Sequence, residues 1–147
     1  MKKIFIERIL LSIVVFMCFT CCGTKVINGI EVSELLLIAS KEQNIDYCKL
    51  LNEAIEGNDS SIRKLVLLKF YDGAGYDHGA VVVDLIELIG EDKFIYSLTT
   101  INDEQKKWII GYIEVGLEYG NNLNLQPQTF KEAFPKVYDF LRDRRDR

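Results

Sequence analysis

The chain has 147 residues, of which 18 are basic and 22 acidic, giving a formal net charge of −4 at pH 7. Beyond residue 22 the balance is 15 basic against 21 acidic residues, which argues against a nucleic-acid-binding protein because phosphates need a basic face. The roughly 125 residues that follow suffice for one domain that folds without metal or disulfide support.

Residues 1–22 have the layout of a secretory signal peptide. They open with basic residues, continue through the apolar run at 9–19, and close on Cys21-Cys22-Gly23. The run is too short to cross a membrane, which takes about 20 apolar residues. We therefore predict that this segment is removed and that the remainder of the chain is exported.

The end of this segment resembles the lipobox of bacterial lipoprotein precursors. In that family an aliphatic residue and two small residues precede the acceptor cysteine; here Phe19, Thr20 and Cys21 precede Cys22. The resemblance covers residues 1–25 only. It implies a diacylated Cys22, with Cys21 as the alternative acceptor, and a domain held at the membrane of the cell envelope, facing the periplasm or the exterior. Ordinary cleavage, which would release a soluble protein, is the alternative.

Cysteine use predicts a domain without disulfide bonds. Cys18, Cys21 and Cys22 belong to the signal segment, so Cys48 stands alone in the rest of the chain. Cys48 lies in a helical apolar pattern, which favours a cysteine packed in the core.

After a polar tether at residues 23–31, the pattern predicts one helical domain over residues 32–147. We expect a compact all-α domain of about six short to medium antiparallel helices, stacked loosely as helical hairpins in the manner of HEAT repeats. The predicted helices span residues 33–43, 47–56, 60–70, 79–89, 91–98, 103–119 and 129–141. Pro135 is expected either to kink the last helix or to be its first residue.

Capping residues mark the predicted boundaries. Ser33 is expected to cap the first helix, Asn44 or Asp46 the second, Ser60 or Ser61 the third, Asp77 the fourth, and Asn102 or Asp103 the longest. Gly120 is expected in the left-handed conformation that ends helices. Thr129 and Glu132 have the spacing of a capping box.

Residues 66–90 contain the stretch whose residue types could form a catalytic or binding site, Asp72-Gly73-Ala74-Gly75-Tyr76-Asp77-His78-Gly79. One interpretation is a strand, glycine loop and helix that cradle a phosphate, with Phe94–Ile101 as a second strand. Another is a metal or acid–base site built from Asp72, Asp77 and His78. The interpretation we favour is structural: Asp72-Gly73 turns, the glycines let helices approach, Asp77 caps, and His78 bonds a carbonyl or carboxylate.

The sequence thus predicts a non-catalytic helical module that binds a protein partner, as an accessory, assembly or immunity-type protein, without cofactor or metal. The competing hypothesis is an enzyme or metal-binding protein that uses the loop of Asp72, Asp77 and His78. A third is a small-ligand binder with a cleft lined by tyrosines. The candidates are all seven, although at helical spacing most are expected in the core: Tyr47, Tyr71, Tyr76, Tyr96, Tyr112, Tyr119 and Tyr138.

Overall fold

The computed structural model describes residues 23–142, so the predicted signal peptide and its Cys21 and Cys22 acceptors lie outside the described residues. A β-hairpin is followed by eight helices, and the prediction of a compact all-α domain is confirmed. The elements are β1 (Lys25–Ile27), β2 (Ile30–Val32), α1 (Glu34–Glu42), α2 (Tyr47–Ile55), α3 (Asp59–Val66), α4 (Asp72–Ile89), α5 (Glu91–Ser97), α6 (Asp103–Tyr119), α7 (Phe130–Ala133) and α8 (Pro135–Arg142).

The hairpin occupies most of the segment that was predicted as a tether. Its strands are antiparallel, and Asn28 and Gly29 join them with φ angles of 49° and 94°, which suits the tight turns that favour Asn-Gly. Ile27, Ile30 and Val32 are buried, and the hairpin contacts α2 and α4. Residues 25–31 therefore belong to the folded domain rather than to a tether.

Several predicted helix ends are confirmed, because they depend on neighbouring residues alone. The Ser33 hydroxyl accepts from the backbone N–H of Leu36, and the Asp46 carboxylate caps α2. A complete capping box joins Asn102 to Gln105 at the start of α6. The predicted bonds between Thr129 and Glu132 are present, and Pro135 begins α8. Local polar chemistry thus fixes these ends.

Three predicted ends are wrong besides the start of α4, which is described below. Asn58 caps α3, which stops at Val66, so neither Ser60 nor Ser61 is the cap and Phe70 lies beyond the helix. Gly120 has φ of −71° instead of a left-handed value. A side chain there would collide with the carbonyl oxygen of Gly116, so packing, not backbone conformation, requires this glycine.

The start of α4 is the largest correction. The helix begins at Asp72, so Asp77 lies inside it and does not cap it, and the glycine-rich stretch is helical instead of a phosphate loop. The Phe94–Ile101 segment, a strand only in the phosphate-loop interpretation, begins in helix α5 and continues as a turn, in agreement with the helix predicted over residues 91–98. Close packing explains two of the glycines, since a Cβ on Gly75 would lie 3.1 Å from the Phe70 carbonyl oxygen and one on Gly79 would lie 2.6 Å from the Tyr112 carbonyl oxygen. A Cβ on Gly73 would meet only Cδ2 of the exposed Leu35 side chain.

Helices α4 and α6 form the centre of the domain. In the pairs that contact each other, the residue numbers increase in the same order on both sides: Tyr71–Trp108, Gly79–Gly116 and Asp84–Asn122. The two helices therefore run in the same direction, whereas the sequence suggested antiparallel neighbours, because the short α5 returns the chain between them. The other elements cover this pair, and Cys48 is partly buried against the resulting core.

None of the helices within residues 23–142 has the length and apolar character needed to cross a lipid bilayer.

Candidate functional site

His78 lies in a fully buried cluster of rings between α2, α4 and α6. Its Nδ1 is 2.7 Å from the Tyr47 hydroxyl. Tyr47, Phe70 and Tyr112 present edges or faces to it, with ring centroids 5.8, 5.1 and 4.7 Å from that of His78. We call these four residues the aromatic cluster. The partner of His78 is thus a phenol, not the carbonyl or carboxylate that the sequence suggested.

The environment keeps the cluster uncharged. Burial lowers the pKa of His78 to about 3, and the nearby backbone of Leu65 raises it by a smaller amount. Nε2 of His78 has no hydrogen-bond partner in the described part of the chain. Burial also raises the pKa of Tyr47 well above its ordinary value. His78 is therefore a neutral core residue at physiological pH, out of reach of substrates.

The other two residues of the predicted loop site have different surroundings. Asp72 is exposed at the first position of α4, with φ of 50°. Asp77 is half-buried and accepts a hydrogen bond from the Ser33 hydroxyl. Because neighbours on a helix point about 100° apart, Asp77 and His78 face different elements. Within residues 23–142, no three His, Cys, Asp or Glu side chains are grouped to hold a metal ion.

A groove lies on the surface above the aromatic cluster, between the first halves of α4 and α6. Its volume is about 540 Å³. We call it the aromatic groove, and the lining residues that matter below are Tyr71, Asp72, Tyr76, Glu104, Trp108 and Gly111. Phe70 and Tyr112 also line it, so the aromatic cluster contributes its base.

The walls of the aromatic groove are exposed aromatic side chains. Tyr71 is 67 % exposed and meets Trp108 edge to face at 6.4 Å between centroids. Tyr76 is 51 % exposed and lies 5.2 Å from the ring of Tyr119. The ammonium of Lys69 lies 4.8 Å from the centroid of the Trp108 ring, within cation–π distance. Large apolar side chains are thus held at the surface by contacts with one another.

The base of the groove is fixed by the Tyr112 hydroxyl. It accepts from the backbone N–H of Phe70 at 3.0 Å and lies 3.0 Å from the carbonyl oxygen of Leu68, to which it donates. These bonds attach the segment before α4 to the middle of α6. A base held in this way needs little rearrangement when a ligand enters, which lowers the entropy cost of binding.

Gly111 leaves an opening in the wall formed by α6. A Cβ built on it meets no atom within 4 Å, in contrast to Gly79 and Gly116, where helix packing leaves no room for one. Glycine inside a helix costs roughly 0.5–1 kcal/mol relative to alanine. Internal packing does not account for Gly111, whereas close approach of another molecule to the α6 backbone would.

A larger cleft, of about 770 Å³, lies between α6, α8 and the loop that joins α6 to α7. Its polar groups bond one another: Arg142 pairs with Glu114 at 2.9 Å, and the Gln126 amide donates to the Gly120 carbonyl. It lacks the exposed aromatic walls of the smaller groove, which is therefore the better candidate site.

Part of the aromatic groove was foreseeable from the sequence. The hypothesis of a tyrosine-lined cleft did not say which of the seven tyrosines line it; the fold brings Tyr71, Tyr76 and Tyr112 to one place. Trp108 and Gly111 were missed, since neither is among the residues that the sequence singled out. The usable signal was the glycine inside a long helix, three residues after the single tryptophan.

No protein-family model, curated protein or solved structure matches the chain. Function is therefore inferred from the chemistry of the site itself.

Proposed function

We propose that the protein is a lipid-anchored component of the bacterial cell envelope whose helical domain binds another protein through the aromatic groove. The observation that carries the proposal is the edge-to-face contact between the exposed ring of Tyr71 and the half-buried ring of Trp108 beside the opening at Gly111. Tyrosine and tryptophan are enriched at protein interfaces, because they bury much apolar area at a small cost in conformational entropy.

The burial of His78 supports binding over catalysis. A general acid or base must come within hydrogen-bond distance of its substrate, and His78 is enclosed by aromatic side chains. Asp72 faces solvent and Asp77 is engaged by Ser33. The loop of these three residues thus lacks a common centre, while the aromatic groove offers a preformed apolar surface.

The N-terminal anchor supports an envelope location. The hairpin begins at Lys25, three residues after Cys22. Three residues span at most about 11 Å, so a lipid on Cys22 would hold the first strand within that distance of the lipidated residue. Each buried methylene of an acyl chain contributes about 0.8 kcal/mol, and two chains attach a protein stably. The groove would then act close to the membrane surface.

Acylation tests the anchor. The full chain is expressed in a bacterium with a radiolabelled or alkyne-tagged fatty acid, beside the matched variants Cys22→Ser and Cys21→Ser. We expect the wild type and Cys21→Ser to carry label and to sediment with membranes, and Cys22→Ser to lose both. Label lost in Cys21→Ser alone would move the acceptor by one residue, and an unlabelled wild type would contradict the anchor.

Site-specific photo-crosslinking in cells tests the groove. A benzoylphenylalanine replaces Tyr71 in one variant and Tyr96 in the other; both side chains are 67 % exposed, and Tyr96 lies outside the groove. We expect a discrete crosslinked protein from position 71 and none from position 96, and its loss when Gly111→Leu fills the groove. Equal bands from both positions, or none from position 71, would contradict the proposal.

A further inference from the structure

We infer that the anchored domain lies against the lipid bilayer with one defined face, formed by Leu35, Ile38, Tyr76 and Tyr119. We call these four residues the apolar strip. The inference rests on the proposed function, since it requires the lipid on Cys22, and it specifies how the anchored domain is oriented. Three observations support it: the strip is continuous and exposed, it lies near the start of the hairpin, and the link from there to the lipid is short.

The apolar strip runs from α1 across α4 to the end of α6. Its four side chains are each at least 51 % exposed. Leu35 and Ile38 lie about one turn apart on the same side of α1, and the Leu35 side chain reaches α4 at Gly73. Tyr76 is about one turn further along α4, and its ring lies 5.2 Å from that of Tyr119. Two aliphatic and two aromatic side chains thus form one band across three helices.

The hairpin register brings the apolar strip close to the predicted anchor. Lys25, the first residue of β1, is paired with Val32, which puts their Cα atoms about 5 Å apart. Leu35 follows Val32 by three residues, so its Cα lies within roughly 17 Å of that of Lys25. The strip therefore begins on the same side of the domain as the point from which the chain continues towards Cys22.

The short link keeps the domain against the bilayer. Cys22 and Lys25 are at most about 11 Å apart, whereas a domain of about 120 residues measures roughly 35 Å across. With the lipid inserted, the surface around Lys25 meets the head groups, and the domain has no length of chain with which to move away. A soluble partner would meet that surface only on encounter. The length of the link therefore identifies the bilayer as the occupant of the apolar strip.

The residue types of the apolar strip suit the head-group region. Leucine and isoleucine side chains can enter the boundary of the acyl chains, while tyrosine places its ring there and its hydroxyl among the head groups. Exposed charges of both signs surround the strip: Glu34, Asp72 and Glu118 against Lys25 and Lys41. Because they are slightly acidic in sum, attraction to anionic lipids does not drive the contact, which depends on burial of apolar area.

Another exposed apolar group near the hairpin is less suited to lipid. It consists of Val26, Leu88 and Leu123. Leu88 and Leu123 line a hollow together with the side chains of Glu31, Asp84 and Glu87, and Val26 is paired with Glu31 in the hairpin. Bringing three carboxylates against a bilayer removes water from them and is opposed by anionic head groups. Leu88, which is as exposed as Leu35, therefore provides a matched control.

Quenching of tryptophan fluorescence by brominated lipids tests the orientation. The acylated full chain is reconstituted in phosphatidylcholine vesicles whose acyl chains carry bromine near the head group, and Trp108→Phe removes the single native tryptophan. A tryptophan replaces Tyr119 in one variant and Tyr96 in the other; Tyr96 is exposed on α5, which packs mainly against α3, α4 and α8. Relative to vesicles without bromine, we expect about half of the emission to be lost at position 119 and almost none at position 96.

Substitutions in the apolar strip test whether its aliphatic part makes the contact. Leu35→Ser together with Ile38→Ser should reduce the quenching at position 119 about twofold or more, whereas Leu88→Ser should leave it unchanged. All three positions are exposed, so the core is untouched, and circular dichroism checks folding. If Trp108→Phe does not fold, subtracting the emission of the otherwise wild-type chain from that of each variant gives the same comparison.

The salt and lipid dependence separates an apolar contact from an electrostatic one. We expect the same quenching at low and high salt, and no increase when anionic lipid is added. Quenching at both reporters alike, at neither reporter, or only with anionic lipid would overturn the inference. Acylated protein without quenching at position 119 would remove the orientation and leave the proposed function standing. An unlabelled wild type in the acylation test would instead remove the anchor, and with it both.

Discussion

Gly79 of α4 and Gly116 of α6 bring the backbones of the two central helices into direct contact. A Cβ on Gly116 would overlap the Gly79 carbonyl group and lie 2.7 Å from Cγ2 of Val83; one on Gly79 would lie 2.6 Å from the Tyr112 carbonyl oxygen. Backbone atoms of a packed helix cannot rotate away as a side chain can. The separation of α4 and α6, and therefore the position of the groove between them, depends on these two glycines.

Replacing Gly116 with alanine should therefore destabilise the domain. Overpacking typically costs roughly 1–3 kcal/mol, and the better helix propensity of alanine offsets roughly 1 kcal/mol of that loss, so we expect a net loss of up to about 2 kcal/mol. The free energy of unfolding from urea titration measures it. Gly111→Ala is the matched control on the same helix, and it should gain roughly 0.5–1 kcal/mol because its Cβ meets nothing. Equal effects at the two positions would contradict the close contact.

The burial of His78 makes stability dependent on pH. The pKa of His78 is about 3 in the folded protein, against 6.5 for an unperturbed histidine. Between these values the unfolded chain binds a proton that the folded chain does not, so stability falls as the pH drops below 6.5. The expected contribution is about 1.4 kcal/mol per pH unit down to about pH 3.

Urea unfolding at pH 7, 6, 5 and 4 checks this expectation. His78 is the single histidine of the chain, so the comparison with His78→Gln, which keeps a polar group near Tyr47 but does not titrate there, isolates its contribution. The wild type should lose stability more steeply than the variant below pH 6.5. Parallel curves would show that His78 titrates normally in the folded state and that its enclosure is incomplete.

Individual residues show which features of the fold could be predicted from the sequence. The caps at Ser33, Asp46 and Asn102 were predictable because each bonds a backbone group three residues away. The role of Asp77 was not, because Asp77 is also a good capping residue, and its actual partner, the Ser33 hydroxyl, lies 44 residues away in the sequence. Local patterns carry no information on such contacts.

At the candidate site, too, local features could be predicted from the sequence and long-range contacts could not. The number of tyrosines suggested a cleft, although their helical spacing favoured the core. The contact of Tyr71 with Trp108, which are 37 residues apart in the sequence, follows from the parallel direction of α4 and α6. The close approach of the two helices depends on the Gly79–Gly116 contact. The Asn28-Gly29 turn, by contrast, was a local signal between apolar residues, and it was missed because the segment was assigned to a tether.

The hairpin should contribute to stability although it lies beside the predicted anchor. Ile30 is buried, so Ile30→Ala should cost about 2 kcal/mol or more of the free energy of unfolding. Val26→Ala on the neighbouring strand is the control, since Val26 is largely exposed and should change stability by less than about 0.5 kcal/mol. If residues 23–31 were only a tether, neither substitution would alter urea unfolding.

The hydroxyl of Tyr112 should stabilise both the fold and the base of the groove. Tyr112→Phe keeps the ring but leaves the buried N–H of Phe70 without its acceptor, which costs about 1–3 kcal/mol. Tyr71→Phe removes an exposed hydroxyl and should change stability by less than about 0.5 kcal/mol. Thermal and urea unfolding measure both, and hydrogen exchange at the Phe70 amide locates the change: it should accelerate in Tyr112→Phe and stay unchanged in Tyr71→Phe. Protection retained in Tyr112→Phe would mean that other contacts hold the segment before α4.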